Sequence, residues 1–320
     1  MPETTRPQPA SYPGQERFVA GPDAVSVAAV DAVAADVHPA GFWKSAWLEL
    51  RTKPEFMVSM VLLAMIVVVV LFPGLFTTQD PHYGSLEQSL LPPSAEHWFG
   101  TDRQGYDIYT RTIYGARASV AVGVLTTITV VLIGGLLGCV AGFFGGWIDS
   151  VIARLSDIFF GIPLILAAVV TMQMISSRTV FTVVIVLAIF SWPQIARIAR
   201  SAAIAIRNEE FITASRSLGA SRVRTLFTHV IPNALGPVIV VGTISLGVFI
   251  VTEATLSYLG IGLPPTAVSW GIDIAAGQQL LREGTPILFY PAAALAITVL
   301  TFMMLGDVLR DALDPKARTR

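Results

Sequence analysis

The chain has 320 residues, 53% of them hydrophobic and only 13% charged, where an ordinary soluble domain carries about 25% charged residues. That is too little charge to clothe a soluble enzyme of this size, and too much apolar residue for a disordered chain. The 21 basic and 22 acidic residues leave a formal net charge of -1, so no overall basic field argues for nucleic acid.

Residues 1–40 contain Pro, Ala and Gly in quantity but no apolar core of the signal-peptide kind. They read as a disordered cytoplasmic tail, with a rigid Pro-rich docking segment as the alternative. Residues 41–56 read GFWKSAWLELRTKPEF. Phe42, Trp43, Ala46, Trp47 and Leu50 fall on one helical face, with Lys44, Glu49, Arg51 and Lys53 mostly off it. The segment reads as an interfacial helix or, more plainly, a juxtamembrane aromatic belt.

From residue 57 to residue 320 the expectation is a transmembrane domain. About 20 mainly apolar residues cross a bilayer as a helix. Six windows qualify: 56–76, 118–148, 158–177, 179–196, 237–251 with an extension toward 259, and 285–306. The second is long enough for a tilted helix and a turn, and its Gly134, Gly135 and Gly138 favour close helix packing. Cys139, the only cysteine, excludes an intrachain disulfide and a multi-cysteine metal site and reads as a packing residue. Arg178 separates the third and fourth windows, and Trp192 with Pro193 suggests an interfacial end or a kink of the fourth. The fold class predicted is all-α, a polytopic bundle of six transmembrane helices with an outer loop over 77–117 and a cytoplasmic loop over 201–232. With both ends inside, all but five of the 21 basic residues fall on the cytoplasmic side, the five being Arg103, Arg111, Arg117, Arg178 and Arg282. A five-span arrangement would put the basic tail outside, against the bias of basic residues toward the cytoplasm.

The loop between the fourth and fifth spans, RNEEFITASRSLGASRVRTLFTHVIPNALGP over 207–237, is too polar to cross lipid yet is helically patterned. Phe211, Ala214, Ser215 and Leu218 line one side, and Val223, Leu226, Phe227 and Val230 continue it after Gly219. Gly219 suits a turn at positive φ, and Pro232 suits the start of a further helix. A helix pair of this kind either docks a partner protein with its apolar side or lies against its own bundle.

Here the sequence resembles the inner-membrane permeases of bacterial ABC importers. Their coupling signature has E-A-A, three residues, G, nine residues, then I-x-L-P. The matching positions are Thr213, Ala214 and Ser215, then Gly219, then His229, Val230, Ile231 and Pro232. Thr213 removes the consensus carboxylate, with Glu209 and Glu210 nearby, while Ser215 keeps a small side chain. The resemblance is closer to the C-type permeases of dipeptide and oligopeptide importers. Gly100, Thr101, Asp102, Gly105 and Asp107 match their GTDxxGRD segment, with Tyr106 in place of Arg, and Tyr114 to Arg117 match YGAR. EATLSYLGIGLPPTAVSWG over 253–271 and GDVLRDALDP over 306–315 are similar to further family blocks.

The resemblance implies an ABC type I importer permease fold and a subunit of an ATP-driven importer working by alternating access. The solute is a dipeptide or oligopeptide, with nickel or another small solute as the alternative. It implies a B-type permease partner, two ATPase domains or subunits and an extracytoplasmic binding protein, in a bacterial inner or cytoplasmic membrane. The chain has no GxxxxGK[ST] phosphate loop, and none of Lys44, Lys53 and Lys316 follows a glycine. No cofactor or catalytic residue is assigned to it, and ATP with Mg2+ is expected on partner subunits. Glu210, Thr213, Ala214, Ser215, Gly219, Arg222, His229 and Pro232 are the ATPase-coupling candidates. Asp102, Asp107, Arg117 and Glu253 are candidates for gating or pathway support. For Glu253 the other reading is a structural partner at the outer end of span five; for Arg117 it is an interface anchor. His82 and His97 show no ligand cluster, and Trp270 reads as the anchor of a re-entrant or surface outer segment.

Overall fold

The computed structural model describes residues 47, 48, 50–281 and 285–313. The expected tail, and residues 41–46 and 49 of the 41–56 segment, lie outside the described residues; Trp47, Leu48 and Leu50 are helical. Among the described residues there is no strand, only two isolated bridges, Gly84 with Tyr106 and Thr101 with Asp107. Among the described residues five helices are long and apolar enough to cross a membrane, or six spans if a bent pair counts as one.

Helix α1 (Pro54–Leu71) starts where Pro54 occupies the first turn and ends before Pro73, which cannot donate to a continuing helix. An irregular segment, 72–107, leads to α2 (Ile108–Phe144). Asp107 caps α2 by accepting the Thr110 N–H at 2.7 Å. Residues 108–117, expected in the outer loop, are therefore the first turns of this helix. At 37 residues, α2 is about 55 Å long, well beyond the roughly 30 Å hydrocarbon core, so polar turns at its end need no lipid.

Helices α3 (Gly146–Phe160) and α4 (Leu164–Gln173) form the bent pair, with an 81° angle between them. The window over 158–177 expected one straight span. Pro163 breaks it, because proline lacks the amide donor and disfavours helical backbone in the residue before it. Helix α5 (Val180–Arg207) begins at a capping box between Thr179 and Thr182 and runs eleven residues beyond its expected end at 196. Trp192 and Pro193 are buried inside it, which corrects the reading of an interfacial end.

Helix α2 packs on α5 through small residues. A Cβ added at Gly134, Gly138 or Gly142 overlaps the carbonyl oxygens of Trp192, Ala196 and Arg200. The stripe runs at intervals of four, the spacing that stacks residues on one helix face. Gly135, expected in this seam, points elsewhere, its nearest neighbour being Val238 at 3.8 Å.

A hairpin of α6 (Glu210–Ser217) and α7 (Arg222–Thr225) follows. A π-turn over Leu226–Val230 joins α7 to α8 (Ile231–Tyr258), giving one helical run over Arg222–Tyr258. Beyond it lie α9 (Trp270–Leu280) and α10 (Phe289–Leu313). Leu50 and Phe56, before and at the start of α1, pack against Val308 and Ala312 near the end of α10. The described chain thus starts and finishes at the same end of the bundle, as an even number of crossings requires.

Candidate functional site

The hairpin hangs at the end where α2 and α5 finish. Gly219 has φ +89°, with Ala220 N–H bonded to Ser215 O at 3.1 Å and Gly219 N–H to Arg216 O at 3.0 Å. That bond pair closes α6 by a left-handed glycine cap. Ser221 then caps α7 through the Arg224 N–H. Pro232 removes an amide donor just after the π-turn, and the Asn233 side-chain amide donates to the His229 carbonyl at 2.7 Å.

The seam to the bundle is made by Ile212, Leu226 and Val230, buried with Cys139, Phe143, Ala199 and Ala203. The expected side of Phe211, Ala214, Ser215 and Leu218 is not that seam. Two-turn α6 touches the bundle through Ile212, its one buried residue, and the rest of its apolar side faces outward. Leu218 is 89% exposed, Val223 and Phe227 58% each, and Phe211 45%. Around this edge Glu210, Thr213, Ala214, Arg222 and Pro232 are exposed, and Ser215 and His229 are half-buried. The His229 ring stands 6.2 Å from that of Phe211. The eight coupling candidates are thus gathered on or beside one hairpin.

The four outer candidates lie at the opposite end and are not one constellation. Asp102 folds a turn, its Oδ1 accepting the N–H groups of Gln104 and Tyr106 at 2.9 Å each. Burial pushes its carboxyl above the usual range, against the pull of those N–H groups and of Arg111. Asp107 caps α2 with one oxygen and meets His97 Nδ1 at 2.9 Å with the other. Arg117 donates to the carbonyls of Val70 and Leu71 at 2.8 and 2.9 Å, satisfying the end of α1. Glu253 is completely buried; its Oε1 accepts the Ser257 hydroxyl at 2.7 Å, while Ser257 Oγ accepts the Leu263 N–H at 3.1 Å. Ser119 and Ser269 also stand against this carboxylate. Trp270 is buried, its indole N–H donating to Thr112 O at 2.8 Å. It therefore anchors the segment after α8 onto α2.

Sequence reasoning assigned no role to Arg111 or Asp273. Arg111 Nε and Nη2 reach Asp273 Oδ1 at 2.8 and 2.6 Å, with its Nη1 3.3 Å from Pro81 O and its guanidinium over the Tyr106 ring. The signal was an arginine one turn after Asp107 in a helix heading into lipid, where a charge needs a partner. The partner lies 162 residues away. Among the described residues no group of three or more His, Cys, Asp or Glu is arranged to hold a metal.

A bundle of five or six apolar crossings with a polar helical hairpin at one end is the build of a membrane permease subunit. Residues 134–319 match the family described as binding-protein-dependent transport system inner membrane component, and the chain belongs to that family. Residues 41–93 match the N-terminal TM domain of oligopeptide transport permease C, which identifies the C-type branch. The chain is similar to the oligopeptide transport system permease protein OppC of Bacillus subtilis, 39% identical over 276 residues, 86% of this chain and 90% of that protein. It is 36% identical over 278 residues to the dipeptide transport system permease protein DppC of the same species, covering 87% of each. It is 32% identical over 278 residues to the glutathione transport system permease protein GsiD of Pectobacterium atrosepticum, 87% of this chain and 92% of that protein. It is accordingly a non-catalytic permease subunit of an ABC importer.

Proposed function

We propose that this chain is the C-type half of an importer that moves short peptides inward, with ATP and Mg2+ bound by two separate ATPase subunits or domains. A B-type permease completes the pathway, and an extracytoplasmic binding protein delivers the solute. The peptide assignment rests on the names of the relatives, which include oligopeptide, dipeptide and glutathione permeases.

One observation carries the mechanical part: the apolar edge of Phe211 and Leu218 at α6 and of Val223 and Phe227 in the first turns of a helical run that continues to Tyr258, left in the open. Exposed apolar groups in a cluster are unfavourable in water and favourable in an interface. An ATPase seated on this edge, with Glu210, Thr213, Ala214, Ser215, Arg222 and His229 around it, would move the helix through Pro232 as it closes and opens. Gly219 sets the hairpin angle. Alternating access follows when that motion is passed between the two ends of the bundle. At the far end Asp102, Asp107, Arg117 and Glu253 support the pathway by holding loop and helix ends in place.

In this reading the hairpin and both chain ends are cytoplasmic, in a bacterial cytoplasmic or inner membrane. With Cys139 substituted, Ser217→Cys resists an impermeant thiol reagent in intact cells and Glu87→Cys reacts; the reverse pattern sinks the orientation. Reconstituted complex with its binding protein takes up short peptides only with ATP. Uptake of nickel without peptide assigns the smaller solute instead, and uptake without ATP contradicts the mechanism.

A further inference from the structure

Three charged side chains meet in the interior at the loop end. Arg111 projects from α2, Asp273 from the first turn of α9, and Asp102 from the loop before α2; Arg111 and Asp102 are each more than nine-tenths buried. They line one small space together with Ile108, Ala276, Gly277, Ile287 and Pro291, none of which carries a charge. Asp273 thus holds the guanidinium directly, and Asp102 feels its charge across the shared space. Asp102 already accepts two backbone N–H groups, whereas Asp273 Oδ2 is buried with no partner. From α8, Glu253 is turned to Ser119, Ser257 and Ser269, one turn before Asp273. On the loop side, Asp107 is engaged by His97.

We propose that Asp102, Arg111 and Asp273 form a proton-responsive clasp that holds α9 and the segment before it against α2 and tightens as the outside medium acidifies. The charge count gives the reason. With both acids ionised, the described side chains of the closed clasp bury one net negative charge, which is costly in a low-dielectric interior. A proton on Asp273 removes that charge and leaves the Arg111 cation balanced by the Asp102 anion that lines the same space. An opened, hydrated clasp has no such need.

Burial, with the Asp102 charge adding to it, pushes Asp273 up to about 6 from 3.8 against the pull of Arg111. An acid raised in the closed state favours that state fully below its ordinary value and loses the effect as pH rises through the raised one. The sensitive window is therefore from about 4 to about 6, and the closed form gains about tenfold between pH 7.5 and 5. Asp273 and Arg111 are positioning residues here: they set how easily the outer segment leaves α2 and touch no solute.

The test is hydrogen exchange, corrected for intrinsic rates, on residues 262–281 of the purified assembled complex. In the wild type, protection rises about tenfold from pH 7.5 to pH 5. Asp273→Asn, which mimics the protonated acid, assembles and holds the same protection at both pH values. Asp102→Asn removes the neighbouring negative charge and shifts the midpoint of the profile to lower pH. Equal wild-type protection at pH 7.5 and 5 overturns the proposal without any variant. So does an Asp273→Asn complex that keeps the wild-type pH slope. None of these readings depends on which solute is carried.

Discussion

The two ends of this bundle solve opposite problems. At the loop end buried polar groups are engaged by other side chains, Arg111 with Asp273, His97 with Asp107 and Glu253 with Ser257, while the exposed Arg117 closes the carbonyl end of α1. At the hairpin end apolar groups are turned outward and left without cover, Leu218 most of all. Buried polar groups are retained where they fix one arrangement, and exposed apolar ones where another molecule is to be bound. In the proposed function the loop end carries its own fastenings, whereas the hairpin is half of an interface.

The sharpest way to break the contrast is to make the hairpin edge polar. Leu218→Asp with Phe227→Asp should cut ATPase co-purification by at least tenfold, while the permease pair assembles normally. Both side chains are exposed, so the cost in the subunit's own stability is within about 0.5 kcal/mol. Unchanged co-purification would remove the interface reading.

Gly219→Val comes next. The position has open space around it, so the penalty is backbone strain at φ +89°, not collision. A side-chain-bearing residue in that region costs roughly 1–2 kcal/mol, more when β-branched. Solute-stimulated ATP hydrolysis should fall several-fold at normal subunit abundance, with binding-protein affinity for its solute unchanged. Gly219→Ala should lie between the two. Full ATP-coupled transport by the valine variant would reject an essential turn.

At the loop end the expected signature is stability without loss of docking. Glu253→Ala leaves Ser257 without its acceptor and opens a void, a loss of about 2 kcal/mol or more. Thermal melting of the assembled complex should register it, Glu253→Gln should recover part, and ATPase binding should stay intact. A Glu253→Ala complex that melts normally but has lost ATPase would erase the distinction between the ends. The smallest effect is expected from Arg117→Met. It removes hydrogen bonds at an exposed helix end and should lower stability by less than about 1 kcal/mol.

Hydropathy located the crossings because lipid imposes apolar side chains over a fixed length. It located their ends less well. The start of α2 at Ile108 depends on Asp107 as a cap and on Asp273 to neutralise Arg111, and the second of these is distant in sequence. The 81° bend at Pro163 lies inside a window whose average hydropathy hides it. Gly134 and Gly138 were legible as packing glycines, whereas the exchange of Gly135 for Gly142 follows from which face of α2 meets α5. The hairpin residues were legible through spacing around Gly219. Which of its apolar groups were inward was not, because Ile212 and Phe211 are neighbours and only the fold chooses between them.

In the proposed function a separate ATPase subunit covers the hairpin edge. The direct measurement is the thiol-labelling rate of Leu218→Cys, with Cys139 substituted, in the permease pair alone and in the full complex in the same detergent. Glu87→Cys, at the other end, serves as the reference. Leu218→Cys should label fast in the pair and gain at least tenfold protection in the complex, with Glu87→Cys equally reactive in both. Equal labelling of Leu218→Cys with and without the ATPase subunits would contradict it.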